Sequence, residues 1–332
     1  MFNWLQKAQS KKLAGIVQQS EGLAFACISQ DKTGEKPHLD ECIFQPQLSD
    51  LKTTLNQLLQ QAKQTTSPVT TLLSSNHFTL LLMQRPTVED NELIDAIRWQ
   101  IKDQLNYPPQ EAIIQILDIS GQQQRGRLPM IYAIAAHRDT IKSSIELIED
   151  SKLKLRYVDI PELAQRNISA LLPEDFIGVA LLNLQADHGL LTITHEGELY
   201  LSRVIDIGYE HLEEAEQNPQ SNNGLSLEET TSEHDNNISK IVLEIQRSLD
   251  YYESHYGKPT IGNLIIAPLE TDIPNLNRQL EDDLGLVVRS LDLDEIVSSD
   301  SKVDLELQAR CFSAIGSALR QVVETSTDSK FE

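Results

Sequence analysis

Two stretches of the chain decide its fold: residues 13–30, LAGIVQQSEGLAFACISQ, and residues 177–206, IGVALLNLQADHGLLTITHEGELYLSRVID. In both, short apolar runs are separated by polar turn residues such as Glu21-Gly22 and Glu196-Gly197. That pattern is typical of antiparallel strands joined by tight turns. The sequence therefore predicts two strand meanders, one near the start of the chain and one in its second half.

Helices alternate with strands after each meander. Leu51, Leu55 and Leu58 recur at helical spacing and predict a helix over 49–64, and a longer apolar stripe predicts another from Ile238 to Tyr256. A meander followed by alternating helices and strands, present twice, indicates an α/β domain used twice. The first copy carries an additional helix–strand–strand–helix–strand block.

The predicted layout assigns each part of the chain to a domain. It comprises a basic amphipathic N-terminus at 1–12, a first domain at 13–86 and 161–175, a small α+β subdomain inserted at 87–160, a second domain at 176–325, and a tail at 326–332. Within the second domain, residues 211–237 are rich in Glu, Asn, Gln and Ser and have no apolar periodicity. Such a segment cannot bury enough surface to offset its ordering entropy, so it is predicted to be a mobile acidic loop.

The chain is strongly acidic, with 28 Lys and Arg against 50 Asp and Glu among 332 residues, a formal charge of −22. This charge argues against nucleic acid as a partner. No stretch approaches the roughly 20 apolar residues of a membrane span, and the first residues lack a signal-peptide core, so a cytoplasmic location is expected.

The first twelve residues differ from the rest of the chain, because they contain Lys7, Lys11 and Lys12 but no acid, together with Phe2 and Trp4. They suit either an amphipathic patch at a membrane surface or a frayed terminus.

The order of elements resembles the actin-like ATPase fold, which is built from two ribonuclease H-like domains. Three segments resemble successive parts of the PilM family of type IV pilus assembly proteins: residues 92–119 (ELIDAIRWQIKDQLNYPPQEAIIQILDI), 133–160 (AIAAHRDTIKSSIELIEDSKLKLRYVDI) and 180–208 (ALLNLQADHGLLTITHEGELYLSRVIDIG). Residues 239–266 and 305–320 are similar to the close of those proteins. Within the family, the chain is most similar to the MshI type, which serves mannose-sensitive haemagglutinin (MSHA) pili.

The resemblance implies a scaffold at the inner face of the inner membrane. Its expected partner is the cytoplasmic tail of an inner-membrane PilN- or MshJ-like protein, docked as an extended apolar peptide beside 87–160. Other pilus assembly components are further candidate partners. Two rival functions remain open at this point: an active actin-like ATPase or kinase, and a filament-forming protein resembling FtsA.

The nucleotide site is where the sequence departs from the family. By the resemblance, each phosphate turn is expected to read Asp-Ile-Gly, as in PilM-like proteins. Those residue types suit the chemistry, because magnesium needs carboxylates and close approach of backbone to phosphate needs glycine. The positions that lack these residue types are Val17 and Gln19 in the first turn, Asn183 and Gln185 in the second, and Ala267-Pro268 in place of a Gly-rich adenosine turn. These coordinated losses predict a pseudo-ATPase that binds ATP and Mg²⁺ weakly or not at all and has no catalytic residue or metal site.

Within the insert, Arg98, Trp99, Lys102 and Tyr107 are candidate partner-binding residues. Trp99 points away from the apolar stripe of its helix, so it either packs under the following strand or anchors a partner, since Trp, Tyr and Arg are enriched in interface hot spots.

Two further polar features have a chemical and a structural interpretation. Asp187-His188 is interpreted as a polar loop tip rather than a replacement catalytic pair. His137 is interpreted as a residue at the start of a helix rather than a ligand.

Overall fold

The computed structural model describes residues 11–30, 35–119, 122, 128–217 and 233–320. These residues form two units. The first comprises the chain up to Ala164 together with the segment that starts at Ser313, and the second comprises Gln165–Phe312. The predicted N-terminal segment, except for its last two residues, and the predicted tail lie outside the described residues.

The strands, in chain order, are β1 (Lys11–Gln18), β2 (Gly22–Gln30), β3 (His38–Pro46), β4 (Pro68–Leu72), β5 (Phe78–Gln84), β6 (Ala112–Asp118), β7 (Met130–His137), β8 (Lys154–Asp159), β9 (Val179–Leu184), β10 (Gly189–His195), β11 (Glu198–Ile205), β12 (Asn263–Ile266), β13 (Val287–Ser290) and β14 (Ser298–Ser299). The helices are α1 (Leu51–Gln61), α2 (Leu93–Gln100), α3 (Arg138–Asp150), α4 (Pro161–Ser169), α5 (Tyr209–Gln217), α6 (Glu233–Tyr256), α7 (Leu276–Leu284) and α8 (Leu305–Ala318). Both predicted meanders are present, as β1–β3 and β9–β11.

The main sheet of the first unit contains strands in the order β3-β2-β1-β4-β8. The meander pairs antiparallel, whereas β4 lies parallel to both β1 and β8. The apolar faces of α1 and α3 cover one face of this sheet, where Leu55, Leu58 and Ile148 join Ile16 and Phe25 in a buried core. Burial of large aliphatic side chains of this kind contributes about 1.5–3 kcal/mol each.

Gly15 explains how closely α8 approaches this sheet. A Cβ atom at this position would lie 2.1 Å from the Ala314 carbonyl oxygen and 2.2 Å from the Ser317 hydroxyl oxygen. Only a residue without a side chain fits such a contact. The second half of α8 therefore belongs to the first unit, which corrects the prediction that it lies in the second domain.

A separate three-stranded sheet in the order β5-β7-β6 forms the insert. Leu93, Ile97 and Ile101 on and just after α2 pack against one face of this sheet, in a core that also holds Ile131 and Ala133. The predicted boundaries of 87–160 are wrong at both ends. β5 pairs with β7 and so belongs to the insert, while β8 pairs with β4 and so belongs to the main sheet.

The second unit has a sheet in the order β11-β10-β9-β12-β13. The long helix α6 supplies Tyr252 and Tyr256, whose rings lie edge-on to that of Tyr200 on β11 at 5.6 and 5.0 Å. The Tyr256 hydroxyl also donates a hydrogen bond to the Tyr200 carbonyl at 3.0 Å. These contacts fix α6 on the sheet.

Residues 165–175 belong to the second unit, not to the first domain as predicted. The Gln165 side-chain amide donates to the carbonyls of Leu181 at 2.8 Å and Leu190 at 3.1 Å, across β9 and β10. Arg289 on β13 forms an ion pair with Glu174 at 2.8 Å. Long-range contacts of this type leave no trace in local periodicity.

The prediction of a mobile loop over 211–237 is wrong at both of its ends. α5 extends to Gln217 and α6 begins at Glu233, and residues 218–232 between them lie outside the described residues. Leu212 is fully buried, and His234 is buried with its Nδ1 atom 3.2 Å from the Leu212 carbonyl oxygen. Packing of α5 against α6 supplies the buried surface that the composition of the segment did not suggest.

Candidate functional site

A groove opens between α1 and α3 at the carboxyl ends of β1 and β4, where the chain leaves the main sheet for the insert. Its volume is about 300 Å³. Its apolar lining comes from Ile16, Leu23, Leu55, Leu72, Leu147 and Ile148. Because these residues also belong to the helix faces and strands of the first unit, the groove is an opening onto its core.

The rim of the groove is polar and uncharged at most positions. Ser74 and His77 lie on the segment that enters the insert, and Thr140 and Ser143 lie on the first two turns of α3. The Thr140 carbonyl accepts a hydrogen bond from the Ser144 hydroxyl at 3.0 Å. Apolar lining with a rim of hydroxyl groups suits a peptide that buries side chains and keeps its backbone hydrogen-bonded.

Two histidines mark the junction of the groove with the insert. His137 caps α3, since its Nδ1 atom accepts from the Asp139 N–H at 3.1 Å, and its Nε2 atom lies 2.8 Å from Glu111. This placement confirms the interpretation of His137 as a residue at the start of a helix. His77 ends the short turn Ser75–His77 before β5 and lines the groove itself.

The four predicted partner-binding residues lie in the insert, and none of them lines the groove. Trp99 is 57 % exposed on α2, so it does not pack under the following strand. Arg98 forms an ion pair with Asp95, and Lys102 is exposed on the turn after α2. Tyr107 packs edge-on against His137 at 4.9 Å, and burial raises the pKa of its hydroxyl.

The first turn that the sequence predicts to be part of a degenerate nucleotide site is closed by its own hairpin. Val17 is 5 % exposed within β1, and the Gln19 N–H donates to the Gly22 carbonyl at 2.9 Å. A carboxylate at position 17 would therefore have to occupy an apolar, buried position.

The second turn accepts hydrogen bonds from the first residues of α5. The Asn183 side chain is buried, and the Gln185 N–H donates to the His188 carbonyl at 2.8 Å. The Gln185 carbonyl accepts the Tyr209 N–H at 2.8 Å, and the Ala186 carbonyl accepts the Glu210 N–H at 3.1 Å. The first N–H groups of α5, which at other helix starts are available to anions, are thus bonded to this turn.

The position of the third turn is also enclosed. Ala267 is fully buried, and its N–H donates to the Leu182 carbonyl at 2.8 Å. Pro268 follows as a buried residue and has no N–H to offer.

Asp187 and His188 lie at the tip of the β9–β10 hairpin. His188 Nδ1 is 2.6 Å from Asp187 Oδ1, and this hydrogen bond holds the pKa of the carboxyl group below its usual value. The Asp187 side chain is 79 % exposed. Among the described residues, no cluster of three or more His, Cys, Asp or Glu side chains is placed to hold a metal ion.

Sequence reasoning missed the groove. Leu51 and Leu55 predict an amphipathic helix, which is present, but the same pattern describes a helix that packs completely and one that leaves a gap. The available signal was Thr140, Ser143 and Ser144 at helical spacing on α3, which places small hydroxyl side chains beside a buried stripe.

Comparison with solved structures identifies the class of fold. A structure described as the PilM-PilN type IV pilus biogenesis complex is 18 % identical, with a TM-score of 0.69, and the match covers 94 % of this chain and 98 % of that one. A Bacteroides thetaiotaomicron protein of actin-like ATPase fold and unknown function is 10 % identical, with a TM-score of 0.48 and coverages of 93 % and 98 %. The cytoplasmic domain of EpsL from the Vibrio cholerae type II secretion system is 9 % identical, with a TM-score of 0.44 and coverages of 92 % and 94 %. The match to the PilM-PilN structure carries this conclusion, and the chain has the two-domain actin-like fold that its sequence predicted.

The sequence itself supplies the family. The family of the type IV pilus assembly protein PilM matches residues 39–322, and the chain therefore belongs to the PilM family. No individually curated protein matches the sequence. None of the helices within the described ranges has the length and apolar character needed to cross a bilayer.

Proposed function

We propose that this protein is a scaffold of type IV pilus assembly that binds the cytoplasmic tail of a PilN- or MshJ-like inner-membrane protein in the groove between α1 and α3. The observation that supports this proposal most directly is the groove itself, which opens beside the insert in a member of the PilM family. The related solved structure is described as a PilM-PilN complex, and that partner is extended here to this chain. Binding of such a tail would hold the protein at the inner face of the inner membrane.

The chemistry of the groove favours an extended apolar segment as its occupant. The lining offers aliphatic side chains such as Leu55 and Leu147, and the rim offers the Ser143 and Thr140 hydroxyls. A segment with alternating apolar side chains would bury them in the groove, and its backbone would hydrogen-bond to the rim. A strongly charged segment would lose its hydration without gaining an ionic partner at these positions.

The proposal further holds that the protein works without ATP hydrolysis. Val17 occupies a buried apolar position, and the turn that contains Gln185 is bonded to the start of α5. At the two positions where the PilM-like phosphate turns are expected to carry Asp, this chain has Val17 and Asn183, and neither side chain is a carboxylate that could hold Mg²⁺. Calorimetric titration with Mg-ATP is expected to give no saturable binding, and a micromolar dissociation constant would overturn this part of the proposal.

Within the family, we propose the MSHA-type pilus as the assembly that this protein serves. The support for this finer assignment is the resemblance of the sequence, which is acidic with a formal charge of −22, to the MshI type. Deletion of the chain in its host should abolish MSHA pili and leave other type IV pili intact, and the opposite pattern would contradict the assignment.

The test of the groove is peptide binding with a blocking variant. Ser143 is exposed on the rim, so Ser143→Arg places a long side chain over the groove without disturbing the core. The matched control is Ser254→Arg, an exposed helical serine on α6. Fluorescence anisotropy with a labelled PilN-like tail should show binding by the wild type and the control and a tenfold or greater loss for Ser143→Arg.

The possible outcomes test the identity of the partner and the location of its binding site separately. If the wild type does not bind the tail, the partner is wrong. If all three proteins bind the tail equally, the partner is right and the groove is not its site.

A further inference from the structure

Strand β5 lies at an edge of the three-stranded sheet of the insert. It pairs with β7 along its whole length, from Phe78 to Gln84, and among the described residues no strand pairs with its other side. None of the seven residues of β5 is buried, whereas Tyr132 and Ala133 of the central strand β7 are. The outer side of β5 therefore presents backbone N–H and C=O groups that a further strand can bond.

The sequence of β5, FTLLLMQ, is unusual for an edge strand. Edge strands are commonly protected against pairing by charged side chains, by proline or by short length. The strands β6, β8, β11 and β13 also lie at sheet edges, and each contains a charged residue, namely Asp118, Arg156, Arg203 and Arg289 respectively. By contrast, β5 contains no charge, proline or glycine, so it lacks the features that keep an edge strand from pairing.

Both faces of β5 are apolar. Leu81 and Met83 lie on the face that α2 covers, where they pack against the core of the insert. The alternate residues Phe78, Leu80 and Leu82 lie on the opposite face and are half-exposed. Strands covered on both faces read as continuous apolar runs, whereas strands with one solvated face alternate between apolar and polar residues. The pattern of β5 thus suits a strand in the interior of a larger sheet.

A second copy of β5 matches this edge in an antiparallel register. When two copies pair about a two-fold axis at Leu81, Leu80 lies opposite Leu82 of the second copy, and Thr79 lies opposite Met83. Apolar side chains that face each other across two strands stabilise the pairing. The strand is therefore complementary to itself.

This register also avoids the repulsion expected between two acidic chains. The formal charge of −22 disfavours contact between copies in general, and like charges directly opposite each other destabilise a strand pair. The first charged residue after β5 is Arg85, which pairs with Asp90 at 2.9 Å and with Asp118 at 2.6 Å. In the self-paired register its position lies opposite His77 of the second copy. Two such chains can therefore meet at this edge without opposing their carboxylates.

We propose that the chain forms a homodimer through antiparallel pairing of β5 with β5 of a second copy, which joins the two inserts into one continuous sheet. The strand order across the dimer becomes β6-β7-β5-β5-β7-β6. Because both copies use the same edge, the contact is isologous and closes at two subunits, so it does not extend into a filament. The contact does not depend on the tail peptide proposed above.

The test is the mass of the full chain in solution, measured by sedimentation velocity at up to about 100 μM chain, where weak interfaces of small area are populated. The expected mass is twice 37.4 kDa. Leu80→Lys and Leu82→Glu each put a charge opposite a leucine and should weaken the dimer about tenfold. The matched control is Val204→Lys, at a residue 49 % exposed on the edge strand β11, which should leave the dimer unchanged.

A mixture of the Leu80→Lys and Leu82→Glu variants tests the register. In the mixed dimer, the ammonium group introduced in one copy lies opposite the carboxylate introduced in the other, so the mixture should dimerise although each variant alone does not. Recovery of the dimer also shows that both variants are folded. Gln84→Lys, at the exposed end of β5 and away from the core, is a second variant and should weaken the dimer roughly threefold.

Four results would overturn the proposal. A wild-type chain that stays monomeric at every concentration excludes the dimer, and a mass that rises beyond two copies excludes a closed contact. A dimer that survives both Leu80→Lys and Gln84→Lys is formed elsewhere on the molecule. A mixture of the two charged variants that stays monomeric, with circular dichroism showing both to be folded, excludes the antiparallel pairing of β5 with itself.

Discussion

The two units share an arrangement of strand hairpins and helices, yet they treat buried polar groups differently. In the first unit Glu162 is buried, its Oε2 atom has no hydrogen-bond partner, and burial raises its pKa to about 7. In the second unit Asp175 is buried, and its two oxygens accept from the Thr194 hydroxyl and the Gly197 N–H at 2.6 Å each. Burial of a carboxylate costs little only where hydrogen bonds replace its hydration, so equivalent substitutions should have unequal effects in the two units.

The largest effect is expected when carboxylates are introduced at the two positions that the sequence analysis predicts to have lost them. Val17→Asp puts a charge into the buried strand β1, whereas Asn183→Asp replaces a side chain of the same shape at a position that already holds a polar group. We expect a loss of about 4 kcal/mol in the free energy of unfolding for Val17→Asp and about 1 kcal/mol for Asn183→Asp. Urea denaturation measures both, and similar losses would show that the two turns are equivalent after all.

The glycines that position the two hairpins come next. Gly15→Ala would drive its Cβ into α8, and we expect a loss of about 3 kcal/mol. Gly208→Ala would meet the backbone carbonyl oxygens of Ala186 and Gln185 at 2.2 and 2.3 Å, and should cost about 2 kcal/mol. Gly262→Ala is the control, because no atom lies within 4 Å of the place its Cβ would occupy, and a comparable loss there would contradict the steric explanation.

Amide substitutions at the two buried carboxylates are expected to change the free energy of unfolding in opposite directions. Asp175→Asn should destabilise by about 2 kcal/mol because it weakens two hydrogen bonds to a charged acceptor. Glu162→Gln should stabilise by about 2 kcal/mol at about pH 8, because the folded state then no longer holds a carboxylate with a raised pKa.

The pH dependence of Glu162→Gln follows from the same pKa. A carboxyl group whose folded pKa is about 7 and whose ordinary pKa is 4.5 disfavours folding progressively between those two pH values and by a constant amount above them. The gain from Glu162→Gln should therefore vanish below pH 4.5 and reach its plateau above about pH 7. If the stability gained by Glu162→Gln does not vary with pH, the gain comes from packing instead.

The smallest effect on stability is expected at two exposed aromatic residues. Trp99 on α2 is 57 % exposed, and Phe176 in the second unit is 77 % exposed. Alanine at either position should change the free energy of unfolding by less than about 0.5 kcal/mol. If Trp99 anchors a partner, Trp99→Ala weakens binding of the PilN-like tail about tenfold, and Phe176→Ala leaves it unchanged. Equal binding by both variants would remove Trp99 from the interface.

The local part of the fold could be predicted from the sequence. The apolar runs of β9 and β10 and the stripe of α6 are strong periodic signals, and each element lies where that pattern indicated. Assignment of β5 and β8 to different sheets could not be predicted, because both are short strands whose partners lie far along the chain. The ends of α5 and α6 were missed for a related reason, since the contact between Leu212 and His234 crosses a polar segment.

The candidate site was less accessible to sequence reasoning than the fold. The residues predicted to mark a degenerate nucleotide site are visible directly in the sequence, and the structure adds that Val17 is buried. The groove depends on a gap between α1 and α3, and a gap has no residue pattern of its own.

The parallel pairing of β4 with β8 has a consequence for the history of the chain. α3 by itself makes the crossover that two adjacent parallel strands require, so β4, α3 and β8 form a complete unit without the three-stranded sheet. The segment 75–136 is thus an insertion within the connection between β4 and β8. In evolution this insertion can be gained, replaced or lost while the main sheet of the first unit keeps its strand order. A chimaera that carries a relative's segment in place of 75–136 is accordingly expected to keep the parallel pairing of β4 with β8.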